Sequence, residues 1–268
     1  MLTIEVKYRP VSWFPAYRKV QGNIPQNWGE IGAGQLLAIV SLGRNQISEH
    51  QFLSSLSCIK IRILKRMDEY HIFKISELLE FISDRNPHHE FIIRTVSASH
   101  HSILYSPGPK LKGVTFGQFI FADTYFANYQ ESQKEDDLNK FIASLYLAKN
   151  EKFEERLIQQ RFESIGKLEI NIRQAIVLNY QLIHEWLALA YPLIFQKHEQ
   201  VVNDETRNPE PLPDRQAGVS RNSSLWIKIF QNFVGDDILH DDQWAAKPVN
   251  TIFAYMTRKY KENARRLP

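Results

Sequence analysis

Four carboxylates and a histidine fall within the seven residues Asp236-Asp237-Ile238-Leu239-His240-Asp241-Asp242, an oxygen-rich set of the kind that holds divalent cations. The spacing is wrong for a calcium loop, which needs alternating ligands around a central glycine and a distant closing glutamate. An acidic, solvated turn is expected there. Two histidine pairs, His88-His89 and His100-His101, bracket the apolar run Phe91 to Val96 and would suit zinc or copper if the fold gathered them. Structural zinc sites space their ligands a few residues apart and favour cysteine partners, and adjacent residues of a strand face opposite ways, so no metal is expected. Glu154, Glu155 and Glu163 lie near Arg156, Arg161 and Arg173. Paired catalytic carboxylates need a cleft, and without a sign of one these residues read as a charged, solvated helix face. The chain has no nucleophile elbow, phosphate-binding loop or dinucleotide fingerprint. No catalytic residue and no cofactor are expected, and the chain is read as a non-enzyme.

The elements that would position these residues are mostly helical. The segment Phe116 to Tyr129 packs six aromatic rings into fourteen residues, and Thr115 and Gln118 have capping-box spacing at its start. Buried rings carry the largest apolar area available to a fold, so this helix is a packing centre or a partner-binding face. Leu138, Phe141, Ile142, Leu145 and Tyr146 follow at spacings of three and four, an amphipathic helix, and 152–162 suggests a shorter one. Leu168 to Tyr191 has only a narrow polar face of Gln174, Gln181, His184 and Glu185, which places it centrally in a bundle. Ala175 to Phe195 approaches membrane-span length, but Asn179, Gln181, His184 and Glu185 in its middle third argue against a span.

Nearer the amino end the expectations are a short strand over Thr3 to Val6 and an irregular arm to residue 30. Helices then follow from Ile31 to Gly43, from a Ser48 cap through Ile59, and from Ile75 to Ile82. Residues 60–64 suit a strand or a helix end equally, Phe91 to Val96 reads as a strand, and Ser106-Pro107-Gly108-Pro109 marks a turn. Val201 to Ser224 is rich in Asn, Asp and Pro and reads as a linker or long loop. Beyond it, Leu225 to Val234 and Thr251 to Ala264 can each form a helix but are too small for a core of their own. The expected fold is mainly α: a helical bundle with a short β element near the amino terminus and a tethered C-terminal helical appendage. Its divisions are an arm at 1–30, a core at 31–200, a linker at 201–224 and an appendage at 225–268.

The 268 residues are 43% hydrophobic and 12% aromatic, ample for a core, and carry a formal net charge of only +3. That charge does not argue for nucleic acid or an anionic membrane across the whole surface. It is concentrated at the carboxyl end, where Arg258, Lys259, Lys261, Arg265 and Arg266 meet one acid, Glu262. The single cysteine, Cys58, lies among Leu53, Leu56, Ile59 and Ile61 and reads as a small buried hydrophobe. One cysteine and an amino terminus without a signal-peptide pattern suggest a reduced intracellular compartment, the cytoplasm.

Thr115 to Asp123 and Asp137 to Tyr146, with Ile24-Pro25-Gln26-Asn27-Trp28 ahead of a Gln-Leu-Leu helix and Thr251 to Met256 at the close, resemble a group of proteins from phage and prophage-like tail modules of Bacteroidetes. The resemblance implies a helical assembly or structural protein, such as a tail-assembly chaperone, with other particle proteins as partners and no catalytic residue to carry over. Aromatic residues left over from the core would anchor such partners, the candidates being Trp13, Phe14, Trp28, Tyr125 and Tyr129. The alternative is a nucleic-acid-associated protein of a mobile element that uses the basic C-terminal helix.

Overall fold

The computed structural model describes residues 1–10, 16–84, 86–99, 102–195, 226 and 241–266. The expected 201–224 linker, the 225–234 helix apart from Trp226, and most of the 236–242 acidic turn lie outside the described residues. The chain is mainly α, with two small two-stranded sheets among the described residues. It divides into two compact units, Met1–His88 with Ile170–Leu182, and His89–Glu169 with Ile183–Pro268.

The first unit opens with a hairpin. β1 (Leu2–Tyr8) pairs antiparallel with β2 (Arg18–Ile24), Val6 opposite Val20 and Ile4 opposite Gly22. The expected strand at Thr3 to Val6 is present and longer; β2 was expected to be irregular. Gly22 is needed because a β-carbon there would lie 2.8 Å from the Ile59 side chain and the Ser57 carbonyl oxygen. The helices α1 (Ala33–Gly43), α2 (Glu49–Ser57), α3 (Ile61–Leu64) and α4 (Glu69–Glu77) follow.

Ser48 caps α2 as its spacing predicts: its hydroxyl accepts from the Gln51 N–H, and the Gln51 side chain reaches back to the Ser48 N–H. Asp68 caps α4, which therefore starts six residues before the expected Ile75 and passes into a 3-10 turn at Glu80–Ile82. The undecided 60–64 segment is the short helix α3. Leu36, Leu53, Leu56, Ile59 and Leu64 are almost fully buried in the core.

Cys58 corrects its sequence reading. α2 ends at Ser57, Cys58 takes the left-handed conformation at φ 59°, and its side chain is exposed while Ile59 fills the core position.

The second unit has its own antiparallel pair, β3 (Thr95–Ser99) and β4 (Ser102–Tyr105). The expected strand at 91–96 begins four residues late because Phe91 and Ile93 are spent on the core, and the Ile93 carbonyl accepts the buried Tyr146 hydroxyl at 2.6 Å. Burial pushes the Tyr146 phenol well above the ordinary tyrosine range.

α5 (Phe116–Ser132), α6 (Glu135–Leu145) and α7 (Arg156–Gly166) form the body, with Leu138, Phe141, Ile142 and Leu145 buried along α6. Thr115 caps α5 by accepting from the Gln118 N–H, but the Gln118 side chain instead donates to the Ser144 and Leu145 carbonyls at the end of α6. α8 (Ile170–Ala190) is the long helix expected at 168–191; its residues to Leu182 belong to the first unit and those from Ile183 to the second. No described helix is long and apolar enough to cross a membrane.

α9 (Asp241–Ala245) and α10 (Val249–Arg266) complete the second unit. Phe116 N–H donates to the Lys247 carbonyl, and Val249 N–H to that of Val114. Phe253 then enters a ring cluster, with centroids 5.1 Å from Phe119, 5.1 Å from Tyr191, 5.6 Å from Phe195 and 5.9 Å from Trp226. The appendage thus docks through the aromatic helix, as its small apolar area requires.

Candidate functional site

Along α5, Asp123, Phe126, Ala127, Gln130 and Glu131 recur at spacings of three and four, which brings them onto one helix face. On α8, His184, Glu185 and Ala188 do the same within the second unit. These residues, together with Phe195 and Trp226, line a cavity of about 600 Å³. The two alanines leave the room. Phe195 and Trp226 meet at 67° with centroids 5.9 Å apart, forming an aromatic corner.

Asp123 sits at the buried end and both its oxygens are engaged. Oδ1 lies 2.5 Å from Nε2 of His184, and Oδ2 accepts the Trp226 indole N–H at 2.6 Å. His184 is stacked on Phe126 with centroids 5.2 Å apart, so its ring is fixed on two sides. Glu185 is half-buried, while Gln130 and Glu131 are exposed at the rim.

An imidazole oriented by a carboxylate can move a proton at a bound molecule or hold a charged one. Among the described lining residues there is no Ser, Thr or Cys to serve as a nucleophile, and no Lys or Arg. The lining is acidic and aromatic. No group of three or more potential metal ligands occurs among the described residues.

No protein-family model, curated protein or solved structure matches the chain.

Of the aromatic anchors expected from the sequence, the described ones, Trp28, Tyr125 and Tyr129, are not among these lining residues. Trp28 and Tyr129 are 3% and 5% exposed, which corrects their reading as surface residues. Trp28 is held in the first unit by an edge contact to Phe81 and an indole hydrogen bond to the Asp84 carbonyl, because its own 3-10 turn faces the core. Tyr129 continues the buried α5 face of Phe116, Phe119, Ala122 and Phe126. Tyr125 is half-buried, with Lys140 5.7 Å from its ring and its phenol pushed up by burial and then by the charges of Glu155 and Asp137. Trp13, Phe14, His100 and His101 lie outside the described residues.

On α10, Arg258, Lys261 and Arg265 are exposed and Lys259 is half-buried; Arg258 and Lys259 lie 5.4 and 5.8 Å from the Tyr255 ring. Arg266 is the last residue of the helix.

Arg161 and Arg173 correct the solvated-face reading, being 8% and 5% exposed. Arg161 is drawn inward by the Tyr146 carbonyl and by an ion pair with Glu151, whereas Arg156 and Glu154 do form an exposed pair.

Asp123 and His184 carried no special weight in the sequence. Their signals were an acid in the middle of an aromatic-rich helix and a histidine on the narrow polar face of α8.

Proposed function

We propose that the chain is a non-enzymatic, protein-binding component of an assembly, of the phage-tail-like kind that its sequence resemblance points to. The observation that carries this reading is the outer face of α4, where Tyr70 and Phe73 are 65% and 61% exposed one helical turn apart. Among the described residues most large rings are spent on packing, and exposed aromatic pairs are what protein interfaces bury as anchors. Lys74 and Glu77, ion-paired at 2.6 Å on the same helix, would form a polar rim. The anchors therefore move from Trp28 and Tyr129 to Tyr70 and Phe73.

A second reading rests on the exposed cations of α10, which would meet phosphates. Affinity capture of the tagged protein from its host, with and without nuclease, separates the two. Partners that persist after nuclease support protein binding. Loss of every partner on nuclease treatment would support nucleic acid instead, and removal of residues 258–268 should then abolish binding and its steep salt dependence.

A further inference from the structure

We infer that the cavity between α5 and α8 of the second unit is a binding site for an organic cation, an ammonium group carrying apolar substituents. Its volume of about 600 Å³ is within the usual range for small-ligand sites. The described lining holds three carboxylates, Asp123, Glu131 and Glu185, against one histidine, so it stays net negative even with His184 protonated.

Asp123 is committed to His184 and Trp226. Among the described residues no side-chain hydrogen bond or ion pair engages Glu131 or Glu185, one at the rim and one half-buried. Two negative charges thus remain to face a ligand. The lining also holds aromatic rings, Phe195 and Trp226 at 67° to one another and Phe126, which is stacked on His184. Rings set at an angle in a lining that also carries carboxylates match an alkylated ammonium: the rings attract its charge through their quadrupoles and cover its methyl groups. A compact, strongly hydrated metal ion gains nothing from such walls, and an anion would be repelled.

Ala127 and Ala188 provide the space, one from each helix. The cation's source is either a free small molecule or a methylated lysine side chain of a partner, and both present the same group. This site is separate from the α4 face, so either can fail without the other.

The test is calorimetric titration of the full chain with choline and with its neutral isostere 3,3-dimethylbutan-1-ol. Choline should bind at least about 10-fold more tightly, the worth of a desolvated cation–π contact. Glu185→Gln should weaken choline roughly 5-fold, as loss of about 1 kcal/mol of charge attraction implies. Ala188→Leu should block the site while a thermal melt shows the protein still folded; Ala127→Leu repeats the test from the opposite wall. A trimethyllysine peptide that binds more tightly than choline would identify a protein side chain as the source, and a weaker one a free cation. Absent choline binding, equal affinity for the isostere, or a Glu185→Gln variant that binds as the parent does would overturn the assignment.

Discussion

Asp123 shows how a polar residue survives inside an aromatic helix. A carboxylate at 7% exposure is tolerated because Trp226 donates to one oxygen and His184 meets the other. Asp123→Ala should therefore cost about 2–3 kcal/mol, because the buried indole N–H loses a charged acceptor. Asp123→Asn should cost less, since its amide oxygen still accepts from Trp226; urea unfolding of the two variants measures the difference. This arrangement was not legible beforehand: positions 123 and 184 are 61 residues apart, and no local spacing couples them. Trp28 and Arg161 make the same point in opposite directions. A ring in a Pro- and Gly-rich stretch is buried, and a charge in an apparently solvated helix is buried too, because each found a carbonyl partner that only the tertiary fold supplies.

At the scale of elements, the features set by local chemistry were readable. The Ser48 and Thr115 caps, the amphipathic stripe of α6 and the length of α8 follow from hydroxyl spacing and helical periodicity. Boundaries were less so. α4 begins at Glu69 because Asp68 accepts the His71 N–H, a cap hidden by the mixed polarity of the first turn. β2 was missed because only alternate residues of RKVQGNI are buried and one of them, Gly22, has no side chain to mark the pattern.

The cap has a pH signature. The His71 backbone N–H, then the His71 side chain, hold the Asp68 carboxyl below the usual aspartate range. A lowered folded-state pKa gives stability that is present above the unfolded value and is lost as pH falls through the folded one. Asp68→Ala should thus lower the denaturation midpoint at neutral pH, and its deficit against the parent should shrink on acidification through the aspartate range.

For the molecule as a whole, the mainly α class and the N-terminal β element were accessible from composition and pattern, whereas what the terminal helix docks on was left open between the bundle, another subunit and a partner. The division into two compact units was not accessible, because α8 is continuous in sequence yet belongs to one unit up to Leu182 and to the other from Ile183. The same holds for function. Sequence pattern identifies rings but not which of them the core consumes, and the proposed partner face falls on Tyr70 and Phe73 because the structure leaves them outside. The most direct measurement is affinity capture from nuclease-treated host lysate with the parent and a Tyr70→Ser/Phe73→Ser variant, thermal melts recorded on both. The account predicts a variant that melts within a few degrees of the parent and loses at least about 90% of the partner protein, as expected when two anchors are removed from an interface. An equally stable variant that retains its partners would contradict it.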